Sequence, residues 1–115
     1  MNDNNFAPFP HHKLQAFLVA LEFVRLIYAT HIADADCRKH ARASAKSCAR
    51  NLAEGAGRRS RGDKQRAYGI AHGELSESVA CVETDNAQGG CPDHELQAVY
   101  QLGSRLNAMI TALTR

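Results

Sequence analysis

Four stretches in which apolar residues recur three and four apart constrain the fold of this chain most strongly. The last stretch is the most regular, with intervals of 3, 4, 3, 4 and 3 between Leu96, Val99, Gly103, Leu106, Ile110 and Leu113. These intervals place the residues on one face of an α-helix. The chain is therefore predicted to be helical, and the other three stretches define the remaining helices.

The first predicted helix is apolar on more than one face. From Leu14 onward, one stripe of residues is spaced three and four apart, namely Leu14, Phe17, Leu21, Val24 and Tyr28. Further apolar residues widen this stripe: Leu18, Val19, Phe23, Leu26 and Ile27. Because a helix of this kind must bury more than one face, we expect a bundle core on one side and a subunit interface on another.

The second helix is predicted to begin after Asp34 or Asp36, either of which can act as its N-cap. Its apolar positions are small residues, so we expect a central helix that its neighbours approach closely: Cys37, Ala41, Ala45, Cys48, Ala49 and Leu52. It is predicted to run to about Glu54 and to end at Gly55, because glycine tolerates the left-handed conformation at a helix C-terminus.

The third helix is predicted to follow a loop over residues 55–62, with Ser60 as its N-cap. Its core stripe is expected at Ala67, Ile70, Ala71, Leu75, Val79 and Val82. Gly69 and Gly73 lie inside it, where each costs about 1 kcal/mol relative to alanine. We expect close packing of the helix backbone at these two glycines.

Four helices with short connections predict an all-α protein with an antiparallel, up-and-down four-helix bundle. The bundle domain is expected to span residues 13–115, because residues 1–12 contain two prolines and no periodic pattern and therefore indicate a flexible N-terminal arm. No apolar run approaches the roughly 18 residues of a membrane span, and no signal-peptide core is recognisable, so the expected location is cytoplasmic and no membrane partner is expected.

Charge is distributed unevenly along the chain, although the net charge is only +2. Residues 36–66 hold ten Lys and Arg against three Asp and Glu, a local balance of +7. The rest of the chain holds four Lys and Arg against nine Asp and Glu. A basic region of this kind is a candidate for binding anions, although a solvated helix face remains an alternative.

Nine cations of this region are the candidate nucleic-acid-binding residues. Four recur every fourth residue and so form a row along the second helix: Arg38, Arg42, Lys46 and Arg50. Five more surround the loop and the positive end of the third helix: Arg58, Arg59, Arg61, Lys64 and Arg66. Only Tyr68 lies near enough to stack on a base, so we expect contacts to the phosphate backbone with little sequence preference.

Other motifs in the chain do not support catalysis. The pattern G-x-x-x-x-G-x-K from Gly57 to Lys64 follows a helix, not a strand, and lacks the Ser or Thr that holds magnesium in a phosphate-binding loop. The Arg61-Gly62-Asp63 tripeptide would act in adhesion only on an extracellular protein. Asp36 and His40 are one turn apart but have no third ligand. We therefore expect no catalytic residues, no metal and no cofactor.

Residues 44–79 contain the motifs of a known family. The block N-[IL]-A-E-G is present at residues 51–55, the loop motif G-R-x-S at residues 57–60, and Ala71, Gly73, Leu75 and Glu77 match the following helix. In these motifs, and in residues 13–29, the chain resembles the four-helix bundle proteins named for open reading frames in 23S rRNA intervening sequences. The resemblance implies a bundle that assembles as a homopentamer and has no catalytic activity.

The same resemblance suggests a structural motif at Asn51, Glu54, Gly55, Gly73 and Glu77. In it, the polar side chains Asn51, Glu54 and Glu77 would form a network where the second and third helices meet. The family also resembles the accessory proteins of diversity-generating retroelements, which work with a reverse transcriptase. The chain is accordingly predicted to be a non-catalytic oligomer that binds RNA or another nucleic acid, and the alternative is a protein-interaction scaffold that docks a reverse transcriptase.

Overall fold

The structure, a computed structural model, describes residues 6–115 as a set of packed helices. A short 3-10 helix, Pro10–Lys13, precedes four α-helices: α1 (Gln15–Ala29), α2 (Ala35–Gly57), α3 (Arg61–Ala87) and α4 (Asp93–Leu113). Residues 6–115 contain no β-strand. The predicted all-α, four-helix fold is confirmed.

Two helices begin at the polar N-caps that the sequence predicts. Asp34 accepts a hydrogen bond from the backbone N–H of Cys37 at 2.8 Å, at the start of α2. The hydroxyl of Ser60 accepts one from the N–H of Asp63 at 3.1 Å, at the start of α3. Each bond satisfies an N–H that has no partner inside its helix.

The predicted end of α2 at Gly55 is wrong. The helix continues to Gly57, and Gly55 is a buried residue within it. A Cβ atom added to Gly55 would lie 2.5 Å from Cε1 and 2.8 Å from Cδ1 of Tyr68. The glycine therefore serves to admit the Tyr68 ring of α3, and the loop between α2 and α3 shrinks to residues 58–60.

The core is formed by all four α-helices, and α2 packs most extensively against α3. Its large side chains are almost fully buried, and they include Phe23, Leu52, Leu75, Leu106 and Ile110. Small residues of α2 allow the close approach of α3, where the Ser78 hydroxyl donates a 2.7 Å hydrogen bond to the carbonyl oxygen of Ala41. The predicted central position of α2 agrees with this packing.

Hydrogen bonds between α2 and α3 indicate the relative direction of these two helices. Ala41, early in α2, contacts Ser78, late in α3. Gly55, near the end of α2, contacts Lys64, in the first turn of α3. These pairs are those of two helices that run in opposite directions, while the up-and-down order of all four helices remains a prediction.

Three positions on α3 differ from their predicted roles. Ile70 was expected in the core but is 46% exposed. Gly69 and Gly73 are also exposed, and a Cβ atom at either glycine would meet nothing within 4 Å. Among residues 6–115, no close packing explains the two glycines. Gly69, Ile70 and Gly73 fall at helical spacing and form one face of α3, which we call the glycine face.

The structure describes only part of the predicted N-terminal arm. Of the predicted flexible arm, residues 1–5 lie outside the described residues, and the flexibility of residues 6–12 stays a prediction. The 3-10 helix Pro10–Lys13 packs against α1 and α2. None of the helices described between residues 6 and 115 has the length and apolar content needed to span a membrane.

Candidate nucleic-acid interface

The loop between α2 and α3 brings several predicted cations together at one end of the bundle. A depression of about 300 Å³ is lined by the side chains of Arg59, Arg61, Lys64 and Arg115, with Tyr68 among them. The N-terminus of α3 opens at the same place, and its first-turn N–H groups add to the positive potential. Tyr68 itself is buried and packs on Gly55, so the prediction that it could stack on a base is wrong.

Lys64 has a structural task at this surface. Its Nζ donates hydrogen bonds to the carbonyl oxygens of Gly55 at 3.2 Å and Ala56 at 3.1 Å. These carbonyls belong to the last turn of α2, which carries partial negative charge, and the Gly55 carbonyl also accepts the N–H of Arg58 at 3.2 Å. Lys64 therefore caps α2 from the neighbouring helix. Its charge still contributes to the local potential, but its donors are partly occupied.

Two arginines of the loop are also engaged with the protein. Arg58 lies 3.4 Å from the Oε2 atom of Glu54, one helical turn earlier, and both side chains are about half exposed. An exposed pair of this kind contributes little to stability. Arg61 donates a 2.8 Å hydrogen bond to the carbonyl oxygen of Arg115. Neither arginine is buried, so both can exchange these contacts for a phosphate.

The cations of the row on α2 differ in their contacts: some bind other parts of the protein and others are exposed. Arg38 donates a 2.8 Å hydrogen bond to the carbonyl oxygen of Ile32 and so holds the connection between α1 and α2. The guanidinium of Arg42 stacks over the Tyr28 ring at 4.5 Å, in cation–π geometry. Lys46 lies 5.8 Å from the same ring and is exposed. The row thus lies beside α1, with Tyr28 as its contact.

Three of the predicted arginines have no protein partner among the described residues. Arg50, Arg59 and Arg66 are exposed and form no hydrogen bond or salt bridge within residues 6–115. Arg50 lies near the end of α2, Arg59 in the loop and Arg66 in the second turn of α3. These three, together with Lys46, are the side chains best able to contact phosphates. We refer to Arg50, Arg59 and Arg66 as the free arginines.

A second depression, of about 320 Å³, lies between the end of α2 and the start of α3. It is lined by side chains of both charges and by two apolar residues, and it includes Glu54, Arg58, Asp63, Arg66 and Ile70. Carboxylates thus sit between the arginines of the predicted site, a placement that the charge count of the sequence could not reveal. They lower the positive potential locally and would accept hydrogen bonds from a ligand's N–H groups.

Hydrogen bonds do not connect the members of the predicted polar network. The Asn51 side chain donates to the carbonyl oxygen and the hydroxyl of Ser47, at 2.9 and 3.2 Å. Glu54 contacts Arg58 instead. Glu77 is exposed and forms no hydrogen bond within the described range. Of the predicted motif, Gly55 has a clear packing role, whereas Gly73 lies on the glycine face.

A buried carboxylate that the sequence analysis missed joins two connections at the opposite end of the bundle. Asp85 is 1% exposed, and its Oδ2 accepts hydrogen bonds from the N–H groups of Ala33 at 2.9 Å and Cys91 at 2.8 Å. Its Oδ1 accepts another from Asp34 at 2.9 Å. Every oxygen is satisfied by backbone, which is the arrangement of a structural residue.

The cysteine thiols and the histidines are side chains that could serve as a nucleophile or as metal ligands. Burial raises the pKa of Cys48 to about 12, so this thiol stays protonated at neutral pH. Burial likewise raises the pKa of Cys37, Cys81 and Cys91. Asp36 and His40 pair at 3.2 Å on the exposed surface. Residues 6–115 contain no group of three or more His, Cys, Asp and Glu side chains placed to hold a metal.

The fold and these surfaces define a small all-α protein whose two central helices meet at a cation-rich connection. A model of the family described as 23S rRNA-intervening sequence protein matches residues 12–112, and the chain belongs to this family. The resemblance found in the sequence is thereby confirmed. No curated protein is similar enough to the chain to count as a match.

Proposed function

We propose that this protein is a non-catalytic, cytoplasmic oligomer that binds RNA or another nucleic acid through the α2–loop–α3 surface. The observation that carries the proposal is the set of free arginines Arg50, Arg59 and Arg66, which are exposed and unpaired among the described residues. Each is available to a phosphate without breaking an existing contact. The partly engaged cations around them maintain the field that attracts the polyanion.

The chemistry of the surface favours the phosphate backbone over the bases as its main target. Arginine forms two parallel hydrogen bonds with a phosphate, and the N-terminus of α3 supplies further N–H donors. The buried Tyr68 removes the aromatic side chain that the loop would need for stacking. Binding should therefore depend steeply on salt and weakly on sequence at this surface.

Assembly would place several copies of a weakly binding basic surface on one particle. The second apolar face of α1 leaves Leu18 40% exposed and Tyr28 43% exposed, which supports a contact with further copies of the chain. We propose a homo-oligomer, with a pentamer as the state implied by the resemblance. Several copies of the basic surface on one assembly would bind one RNA with much higher avidity than a single copy.

The alternative function is a protein-interaction scaffold, for example one that docks a reverse transcriptase. The depression that contains Glu54, Asp63 and the exposed Ile70 favours this alternative, because mixed charges beside an apolar side chain suit a protein surface. A protein partner would bind there with a smaller dependence on salt than a nucleic acid would show.

The proposal is tested by measuring the anisotropy of a labelled structured RNA between about 50 and 200 mM salt. The variant Arg59→Ala/Arg66→Ala removes two free arginines, and the control Arg25→Ala/Arg105→Ala removes two exposed cations from α1 and α4. We expect the first variant to bind roughly tenfold more weakly or worse, with a shallower salt dependence, and the control to bind almost as the unmodified protein does.

Two results would contradict the proposal. If the unmodified protein does not bind RNA or DNA at low salt, the surface is not a nucleic-acid site and the scaffold alternative gains support. If both variants weaken binding equally, total charge decides the affinity and the α2–loop–α3 surface is not the site.

A further inference from the structure

An exposed cluster of rings lies at the N-terminal side of the bundle, outside the surface described above. Phe6, Phe9, His11 and His12 line a depression of about 410 Å³, which we call the ring cluster. Phe6 is 42% exposed and Phe9 58% exposed, so both residues keep a substantial part of their surface in water. Neither belongs to the core. Two large apolar rings exposed around one depression mark a surface that meets a partner.

The rings are held in defined positions. His12 lies with its ring centre 5.6 Å from that of Phe9 and 6.0 Å from that of Phe6, in edge-to-face geometry. His11 contacts His12 at 4.6 Å and Phe17 of α1 at 4.7 Å, which anchors the cluster to the bundle. In an edge-to-face pair, the ring that contributes its edge keeps both faces clear of its partner, and such a face can receive a flat ligand.

A backbone contact fixes the orientation of His12. The N–H of Phe9 donates a 3.0 Å hydrogen bond to Nδ1 of His12 across the start of the 3-10 helix. This hydrogen bond holds the His12 ring beside Phe9.

Charge near the ring cluster suits a polyanion. Lys13 is the single charged residue between residues 6 and 21, and it is exposed. The 3-10 helix packs against α2, whose residues 37–53 contain five Lys and Arg and no Asp or Glu; of these, Arg42 and Lys46 lie beside Tyr28 at the other end of α1. Uncovered rings beside such a cationic helix combine stacking with phosphate attraction, as proteins that bind single-stranded nucleic acid do.

We propose that the ring cluster is a stacking site for unpaired nucleobases of a single-stranded RNA segment. The proposal rests on the proposed nucleic-acid binding, to which it adds a second contact: phosphates follow the cations of α2, and one or two bases stack on Phe6 and Phe9. This stacking site also predicts which form of RNA the protein prefers, because base stacking favours single-stranded or looped regions over continuous duplex.

The test compares two oligonucleotides with the same number of phosphates, a single-stranded RNA and its abasic counterpart. Stacking predicts that the unmodified protein binds the RNA with bases roughly tenfold more tightly than the abasic strand. The variant Phe6→Leu/Phe9→Leu keeps apolar side chains and the Phe9 backbone N–H but removes the flat rings. We expect it to bring this ratio close to one without changing the affinity for the abasic strand.

Tyr100→Leu is the matched control, because it removes a half-buried aromatic ring of α4 that lies outside both the ring cluster and the α2–loop–α3 surface, and it should leave the ratio unchanged. A ratio that stays the same in Phe6→Leu/Phe9→Leu overturns the stacking site while the binding of the abasic strand still supports the proposed function. Failure of the unmodified protein to bind either strand overturns both. A fall in the mass of the assembly in Phe6→Leu/Phe9→Leu, with an unchanged ratio, would assign the ring cluster to contacts between copies.

Discussion

At the scale of single residues, Asp85 joins two connections that are more than fifty positions apart in the sequence. Its carboxylate accepts hydrogen bonds from Ala33, Asp34 and Cys91, so it fixes the α1–α2 and α3–α4 connections to each other. Hydrogen bonds to a charged group contribute about 1.5 to 3 kcal/mol each in favourable cases. The loss of this carboxylate should therefore affect the whole fold and not one loop.

The variant Asp85→Asn should lower the free energy of unfolding by about 3 kcal/mol, because the amide NH₂ would face backbone N–H donors in place of an acceptor oxygen. Urea denaturation followed by circular dichroism measures this change. The control Asp36→Asn alters a largely exposed carboxylate and should change stability by less than about 0.5 kcal/mol. Equal effects of the two substitutions would show that Asp85 does not hold the two connections together.

Single residues also show what local patterns can and cannot predict. Asp34 and Ser60 were predictable as N-caps, because an N-cap bonds to an N–H only three positions away. Gly55 was assigned to a helix end, since its contact with Tyr68 depends on a residue thirteen positions later in another helix. The role of Asp85 could not be predicted from a local sequence pattern, because its three hydrogen-bond partners lie in two separate connections.

At the scale of elements, contacts among the described residues do not explain the glycine face of α3. Gly69, Ile70 and Gly73 are exposed, and the space beside the glycines is open. The apolar spacing predicted α3 correctly but assigned Ile70 to the core. Periodicity identifies a helix and its apolar residues, whereas the face that a neighbour covers depends on how the helices pack.

Replacing Gly73 with alanine should stabilise the isolated chain by about 1 kcal/mol, because alanine has the higher helix propensity and meets no steric obstacle here. Gly55→Ala is the matched comparison: it gains the same propensity but brings a methyl group against the Tyr68 ring, and it should destabilise the protein. Thermal denaturation of both variants measures these two opposite changes in stability. A destabilising effect of Gly73→Ala would mean that another copy or partner packs closely on the glycine face.

At the scale of the whole molecule, the predicted oligomer depends on the outer face of α1. The sequence predicted this second apolar face, and the structure separates the residues that belong to the core from those that remain outside it. Phe23 is fully buried, whereas Leu18 is 40% exposed. A charge at Phe23 would unfold the chain and reveal nothing about assembly, so Leu18 is the position that tests the interface.

Leu18→Glu should reduce the mass in solution to that of a single chain and leave the helix content unchanged, because a charge cannot be buried in an apolar contact without a partner. Light scattering after size-exclusion chromatography measures the mass, and Gln15→Glu adds the same charge to an exposed position of the same helix as a control. If the mass of Leu18→Glu equals that of the unmodified oligomer, the interface lies elsewhere, and the glycine face becomes the next candidate. If Leu18→Glu forms monomers that bind RNA as tightly as the unmodified protein, each bundle binds by itself and avidity does not contribute. Weak RNA binding by those monomers would instead show that several copies of the α2–loop–α3 surface must act on one RNA.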